Sequence, residues 1–138
     1  MESQNLEWKE SWRDEYLKTI CAFANTHGGL LEIGRNDKGV ICGVSGLEKL
    51  MEDLPNKIKS AMAIIADVSA CEENGKRYIV VSVNAHPFPI SYRGSYYIRS
   101  GSTTQQLTGR LLRWLIKQRI WCISSILKVL LATKACNG

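Results

Sequence analysis

The sequence predicts an α+β fold, in which a mostly antiparallel sheet of hairpins is packed by helices on one side. Two observations predict it. Apolar residues recur at intervals of three and four in three segments, as on helices that pack one face against a core. Between these segments, short apolar runs flank turns that contain Gly, Asn and Asp, which is the pattern of β-hairpins. The resulting order is helix, hairpin, helices, two hairpins and helix, which is typical of the α+β class.

The first helix is predicted to begin after Ser11, an N-cap residue with Asp14 at the capping-box position. The helix ends in ANTHGG, where two glycines stop it. Asn25 and His27 in this segment are either a polar functional cluster or caps for the last open carbonyls, and position alone favours the caps. The helix carries one apolar stripe: Trp12, Tyr16, Leu17, Ile20, Phe23 and Ala24.

A hairpin and a helical stretch are predicted next. Two short apolar runs, residues 30–34 and 40–44, flank the turn RNDKG and indicate the hairpin. Residues 47–65 have helical spacing, and Pro55 is expected to divide them into two helices because proline suits the first turn of a helix.

Two further hairpins and a closing helix complete the expected fold. The first hairpin joins residues 68–71 to residues 78–83, and the second joins residues 90–92 to residues 96–99 through an Arg-Gly turn. After a polar loop, four leucines suggest the closing helix: Leu107, Leu111, Leu112 and Leu115.

The bulk composition indicates a globular chain. The chain has 138 residues, of which 45% are hydrophobic and 22% charged, and no apolar run is long enough to cross a bilayer. Residues 1–118 are expected to form one domain, and residues 119–138 a C-terminal tail or an extra amphipathic helix. The five cysteines are widely spaced without a CxxC pair, so we expect free thiols in a cytoplasmic protein, with neither a zinc site nor a disulfide scaffold.

The net charge of +5 is unevenly distributed. Six of the 18 Lys and Arg lie from Arg110 onward, where there is no acid, so residues 1–109 carry 12 cations against all 13 acids. Any binding of nucleic acid by this main part of the chain must therefore depend on where individual cations are placed. The charge balance equally allows an interaction module without affinity for nucleic acid.

Four cations are placed at predicted hairpin turns or strand ends, where they could reach phosphates: Arg35, Lys38, Arg93 and Arg99. The last of them opens the polar loop RSGSTT, whose amides and hydroxyls could form an anion-binding nest before the closing helix. The loop residues expected to contact a phosphate are Ser100, Gly101, Ser102 and Thr103. Alternatively, Thr104 is a simple N-cap of that helix, and both can hold at once. Arg99 could also be tied internally to a carboxylate such as Glu32 or Asp37.

A metal-binding set is the second interpretation of the polar residues. Glu2, Glu7, Glu10 and Asp37 could hold Mg²⁺ or Mn²⁺ if several of them converged, as in nucleases. Glu2 and Glu7 are five residues apart, which suits neither a helix face nor a strand face. Their spacing alone therefore favours solvated surface acids, and an Asp in a turn for Asp37.

Three segments resemble the Schlafen AlbA-like domain, the divergent AlbA module, over roughly residues 2–109. They read LEWKES, TICAFANTHGGLLEIGRNDKGVICGV and PFPISYRGSYYIRSGSTTQQLT. The signature at the start is matched by Glu2, Glu7, Trp8 and Lys9; the central and closing signatures are matched by residues 22–29, 34–39 and 96–104. Residues after Thr108 fit no pattern of this family, and we expect a truncated chain or an altered reading frame in residues 110–138.

The resemblance implies an AlbA-like fold and a DNA-binding domain of bacterial transcriptional regulators, some of them with helicase-related names. It implies DNA or another nucleic acid as partner, a possible homodimer, Lys9 as a supporting contact and no cofactor. Some animal Schlafen proteins are similar in this core and cut RNA through three carboxylates. The alternative is therefore a metal-dependent nuclease in which Glu2, Glu7 and Asp37 bind Mg²⁺ or Mn²⁺.

Overall fold

The chain begins with strands separated by helices, continues with a run of five strands and ends in a long helix, in a computed structural model that describes residues 2–137 without the side chains of residues 120–123 and 133–137. A 3-10 turn, Asp14–Tyr16, precedes the first α-helix. The elements are β1 (Leu6–Lys9), α1 (Leu17–Asn25), β2 (Gly29–Ile33), α2 (Leu47–Met62), β3 (Asp67–Glu73), β4 (Lys76–Val83), β5 (Ser91–Tyr92), β6 (Ser95–Ser100), β7 (Thr103–Leu107) and α3 (Gly109–Asn137).

The strands form two sheets. The first has the order β1-β2-β4-β3, with β1 and β2 parallel and the other neighbours antiparallel. The second has the order β5-β6-β7 and is antiparallel throughout. The predicted α+β class with mostly antiparallel pairing is therefore confirmed, although the strands divide into two sheets.

Helix α1 lies in the core and contacts strands of both sheets. Nearly all of its residues are buried, including Ile20 and Phe23. Alternating residues of β2 and β4, such as Leu31 and Val81, turn one face of the first sheet toward this helix and toward α2. Each fully buried side chain of this size contributes about 1.5–3 kcal/mol to folding.

The start of α1 and the continuity of α2 differ from the predictions. α1 begins at Leu17, and Ser11 and Asp14 lie outside it. Asp14 does not cap the helix, because its carboxylate accepts hydrogen bonds from the side chains of Trp12 and Lys57. Pro55 does not divide the second helical stretch, and α2 continues through it as one helix.

The last two predicted hairpins are confirmed, as β3–β4 and β5–β6. The first is reduced to one isolated bridge between Arg35 and Ile41 after β2. The prediction that the polar loop opens a helix is wrong: Thr103–Leu107 form strand β7, and residues 100–103 are the turn of the β6–β7 hairpin. Strand β1 was not predicted.

Helix α3 runs from Gly109 to Asn137, so the expected domain boundary between residues 118 and 119 falls within a helix. Its first turns contact the rest of the chain: Leu115 is buried, and the Arg119 guanidinium donates hydrogen bonds to the backbone oxygens of Asn25 and Thr26. Side chains from 126 to 132 are exposed. Among the described residues, no helix has the length and apolar character needed to span a membrane.

Candidate functional site

Arg99 is buried beneath the N-terminal segment. Its side chain is 1% exposed, and one Nη atom lies 2.9 Å from Oε2 of Glu7. The guanidinium also donates hydrogen bonds to the backbone oxygens of Ser3 (2.7 Å) and Gln4 (3.3 Å) and to Oγ1 of Thr104 (3.1 Å). Arg99 is therefore not at the surface, and the carboxylate that pairs with its guanidinium is that of Glu7.

The three carboxylates of the nuclease alternative are not arranged around a common point. Glu7 is 6% exposed and also lies 3.2 Å from Nζ of Lys9. Glu2 accepts a hydrogen bond from the backbone N–H of Trp8, and Asp37 is exposed in the turn after β2. No three His, Cys, Asp or Glu residues whose side chains are described could together hold a metal ion. Glu2, Glu7 and Asp37 thus do not fit Mg²⁺ or Mn²⁺.

Arg35 also has internal partners. Its Nε lies 3.0 Å from Glu32 Oε2, without hydrogen-bond geometry, and an Nη lies 3.8 Å from Glu73. The guanidinium stacks near the rings of Trp8 (5.7 Å) and Tyr78 (5.2 Å), and the side chain is 15% exposed. Its contacts hold the turn that follows β2 against the open face of the first sheet.

The remaining predicted contacts are exposed but lie apart. Arg93 occupies the β5–β6 turn above the Tyr92 ring, whereas residues 100–103 form the turn at the other end of β6. The five residue steps of β6 span about 17 Å. Lys38 belongs to the turn after β2. The predicted set Lys9, Arg35, Lys38, Arg93, Arg99, Ser100, Gly101, Ser102 and Thr103 therefore does not form one patch.

Asn25 joins α1 to the second sheet. Its side-chain Nδ2 donates to the backbone oxygens of Ile90 (2.8 Å) and Tyr97 (2.9 Å), and its Oδ1 accepts from the Ile90 N–H (2.7 Å). Gly28 follows with φ +75°, where an added Cβ would lie 2.6 Å from the Val83 oxygen. His27 is exposed. Asn25 is thus a structural connector rather than a cap of its own helix end, and glycine is required at position 28.

Three concavities of about 350, 460 and 400 Å³ share lining residues, and each is lined in part by residues 8–16; we call them together the cleft. The first and second share Glu10 and Ser11, and the second and third share Lys57. Its cationic lining residues are Lys9, Arg13, Lys49, Lys57 and Arg93, and its acidic ones are Glu10, Asp14, Asp37 and Asp53.

Asp14 organises the middle of this cleft. One of its oxygens accepts both the Trp12 indole N–H (2.9 Å) and Nζ of Lys57 (2.8 Å). The hydrogen bond from Lys57 lowers the pKa of Asp14, the hydrogen bond from Trp12 lowers it further, and the charge of Arg93 contributes. The carboxylate therefore stays ionised and keeps the indole and the ammonium group in place.

Most residues of the cleft are not among those predicted from the sequence as functional. Trp12 and Tyr16 were assigned to an apolar helix stripe, and Arg13, Lys49 and Lys57 were not considered. A signal was present, because Trp8-Lys9 and Trp12-Arg13 alternate aromatic and cationic residues at a spacing of four. This alternation is typical of surfaces that bind nucleic acid strands.

The family model described as Schlafen, AlbA_2 matches residues 2–108, which is most of the chain. The chain belongs to the Schlafen AlbA_2 family. The match ends one residue before α3 begins. Among curated proteins, no sequence is significantly similar to this chain.

Two of the solved structures that are similar to this Schlafen AlbA_2 chain show what it shares with them. The DIP2311 protein from Corynebacterium diphtheriae aligns with a TM-score of 0.63 at 22% identity, covering 75% of this chain and 22% of its own length. The N-terminal domain of a protein from Nitrosomonas europaea, related to the ATP-dependent DNA helicase RecG, aligns with a TM-score of 0.55 at 27% identity. That alignment covers 79% of this chain and 86% of the domain. The first similarity shows the fold alone, and this chain spans about a fifth of that protein.

Proposed function

We propose that this chain is a DNA-binding module that serves transcriptional regulation. The observation that carries the proposal is its similarity to the N-terminal domain of the RecG-related protein, within a shared family fold. That protein is named for its relation to a DNA helicase, a class of enzyme that acts on DNA, and its N-terminal domain has the fold of this chain.

The cleft is where this chain would contact the nucleic acid backbone. The Arg13 side chain is 69% exposed, and its contact with Glu15 is long, at 3.7 Å. Lys9 is 29% exposed and Arg93 lies at the opposite end of the cleft. An exposed arginine such as Arg13 exchanges its water and counterions for phosphates at little cost, whereas Lys9 would have to share its ion pair with Glu7. Arg35 and Arg99 would act indirectly, by holding the strands and turns that carry these residues.

Because acidic and cationic residues are mixed along the cleft, the electrostatic contribution to binding would come from individual cations and not from a continuous positive surface. Three phosphate contacts, to Lys9, Arg13 and Arg93, correspond to a slope of log affinity against log salt of about −3 on duplex DNA and about −2 on a single strand. Lys38 and the exposed turn of residues 100–103 remain proposed additional contacts.

Fluorescence anisotropy with labelled duplex and single-stranded oligonucleotides, at several salt concentrations, tests the proposal. Arg13→Ala and Arg93→Ala should each weaken binding on every sequence and reduce the salt slope by about one. Lys59→Ala is the matched control, because Lys59 is an exposed cation of α2 that does not line the cleft. Absence of binding at low salt, or an equal loss in the control, would contradict the proposal.

A further inference from the structure

The middle concavity of the cleft differs from the other two in its lining. Its lining includes Trp12 and residues 43–46, the loop that leads into α2. Its volume of about 460 Å³ is within the range of small-molecule sites, about 300–1,000 Å³. It therefore has room for a ring system against an aromatic surface.

Trp12 has one polar and one aromatic contact at its ring. Its indole N–H donates to Asp14, and its ring meets the Tyr16 ring edge-on, with centroids 6.0 Å apart and planes at 84°. It is only partly buried against the core. An aromatic ring that is fixed by one polar edge and one neighbouring ring loses little entropy when a second ring stacks on it.

Two glycines leave space beside the backbone of residues 43–46. Gly43 and Gly46 have φ values of +82° and +65°, and an added Cβ at Gly46 would meet nothing within 4 Å. Backbone groups of this loop are thus within reach of a ligand. One turn of α2 then supplies a cation, Lys49, and the next turn a carboxylate, Asp53.

The charges of the lining decide the class of ligand. Glu10 and Asp53 would repel a bare phosphate, but they accept hydrogen bonds from amino groups. Lys49 favours an anion next to these groups, whereas Lys57 is already paired with Asp14. A stacking surface, hydrogen-bond acceptors and an adjacent cation together suit a nucleotide, with its base inside and its phosphate at the rim.

We propose that this concavity receives one unpaired base of a single-stranded nucleic acid. The base stacks on Trp12, its exocyclic amino group donates to Asp53 or Glu10, and Lys49 binds the adjoining phosphate. This inference rests on the proposed function and deepens it by specifying an unstacked strand. It also predicts a preference for cytosine and adenine over thymine, because thymine has no exocyclic amino group.

The first experiment compares single-stranded oligo(dC), oligo(dT) and an oligo(dC) with one central abasic position, by anisotropy at one salt concentration. The wild-type chain should bind oligo(dC) more tightly than oligo(dT). With oligonucleotides just long enough to fill one binding site, the abasic position should lower the affinity by about fivefold to a hundredfold. Asp53→Asn should reduce the preference for cytosine, and Trp12→Leu should remove the effect of the abasic position. Trp114→Leu, at an exposed tryptophan of α3, is the matched control and should change neither.

The second experiment keeps the inference testable if Trp12→Leu fails to fold. Amide chemical shifts of Gly43 and Gly46 in the wild-type chain are followed with the dinucleotide of deoxycytidine and with inorganic phosphate. Larger shifts with the dinucleotide than with phosphate support a base in the concavity. Shifts of equal size with inorganic phosphate, or shifts with neither, overturn it, whereas smaller shifts with phosphate are expected from its binding to Lys49. If Arg13 and Arg93 still mediate salt-dependent binding in that case, the proposed function stands without this pocket; if no oligonucleotide binds, both fail.

Discussion

At the scale of single residues, Arg99 has the clearest consequence. Its guanidinium is buried with Glu7, so removing it leaves a buried carboxylate without its closest partner. Arg99→Ala should lower the free energy of unfolding by about 3–5 kcal/mol, measured by urea denaturation. Arg99→Lys should recover only part of this loss, because an ammonium group cannot reproduce the four hydrogen bonds.

The exposed Arg93 provides the control for that measurement, and Arg93→Ala should stay within about 0.5 kcal/mol of the wild type. An Arg99→Ala variant that keeps its stability while losing affinity for DNA would contradict the buried role and return Arg99 to the binding surface.

Cys21 is the residue whose protonation the fold changes most clearly. Burial raises the pKa of its thiol to about 11, so little thiolate is present near pH 8. Iodoacetamide at pH 8 should label the exposed Cys42 and leave Cys21 unlabelled until urea is added, as followed by peptide mass spectrometry. Because the folded thiol holds its proton more tightly than an unfolded one, this contribution to stability is fully present below about pH 8.5 and is lost as the pH rises toward 11. Rapid labelling of Cys21 in the native chain would refute the assignment.

The roles of individual residues were harder to predict from the sequence than the helices and strands, because they depend on partners that are distant along the chain. Arg99 and Glu7 are separated by 92 positions, and neither composition nor periodicity reports which carboxylate meets which guanidinium. The sequence identified Glu32 as one possible partner of Arg99, and in the structure Glu32 pairs with Arg35 instead. Only tertiary packing decides between such candidates.

At the scale of elements, Pro55 is an exposed proline inside a continuous helix. It cannot donate the hydrogen bond that residue 55 would make to the Met51 oxygen, and an interior proline costs about 3 kcal/mol relative to alanine. Allowing about 1 kcal/mol for the stiffer unfolded chain, Pro55→Ala should raise the free energy of unfolding by about 2 kcal/mol in urea denaturation. Pro87→Ala, outside the helices, should give no comparable gain. An unchanged or lower stability for Pro55→Ala would show that the helix needs its proline.

The strands were predicted correctly where the residue pattern in the sequence agrees with the strand pairing in the structure. The β3–β4 hairpin was found because β-branched residues flank an Asn-Gly turn. Strand β1 was missed because its buried position is Glu7, neutralised by Arg99, whereas Trp8 on its other face is apolar. Strand β7 was taken for a loop and a helix start, since its threonines and glutamines fit either, and pairing with β6 decides for the strand.

At the scale of the whole molecule, the unit matched by the family model ends where α3 begins. Residues 2–108 cover both sheets, α1 and α2, and α3 follows as a separate element. The cleft and its neighbouring turns all lie within this unit. The proposed binding function therefore belongs to the part of the chain whose fold the family shares, and α3 can be tested for its contribution to stability alone.

Two shortened chains make that test. A chain ending at Arg119 keeps the buried Leu115 and the hydrogen bonds of Arg119 to the end of α1, so its free energy of unfolding should stay within about 1 kcal/mol of the full chain. A chain ending at Thr108 loses both contacts, and the lost burial of Leu115 alone should cost about 1.5–3 kcal/mol. Urea denaturation followed by circular dichroism measures both. If the chain ending at Arg119 were as unstable as the shorter one, the later turns of α3 would have to support the fold, and the expected boundary near residues 118 and 119 would be wrong.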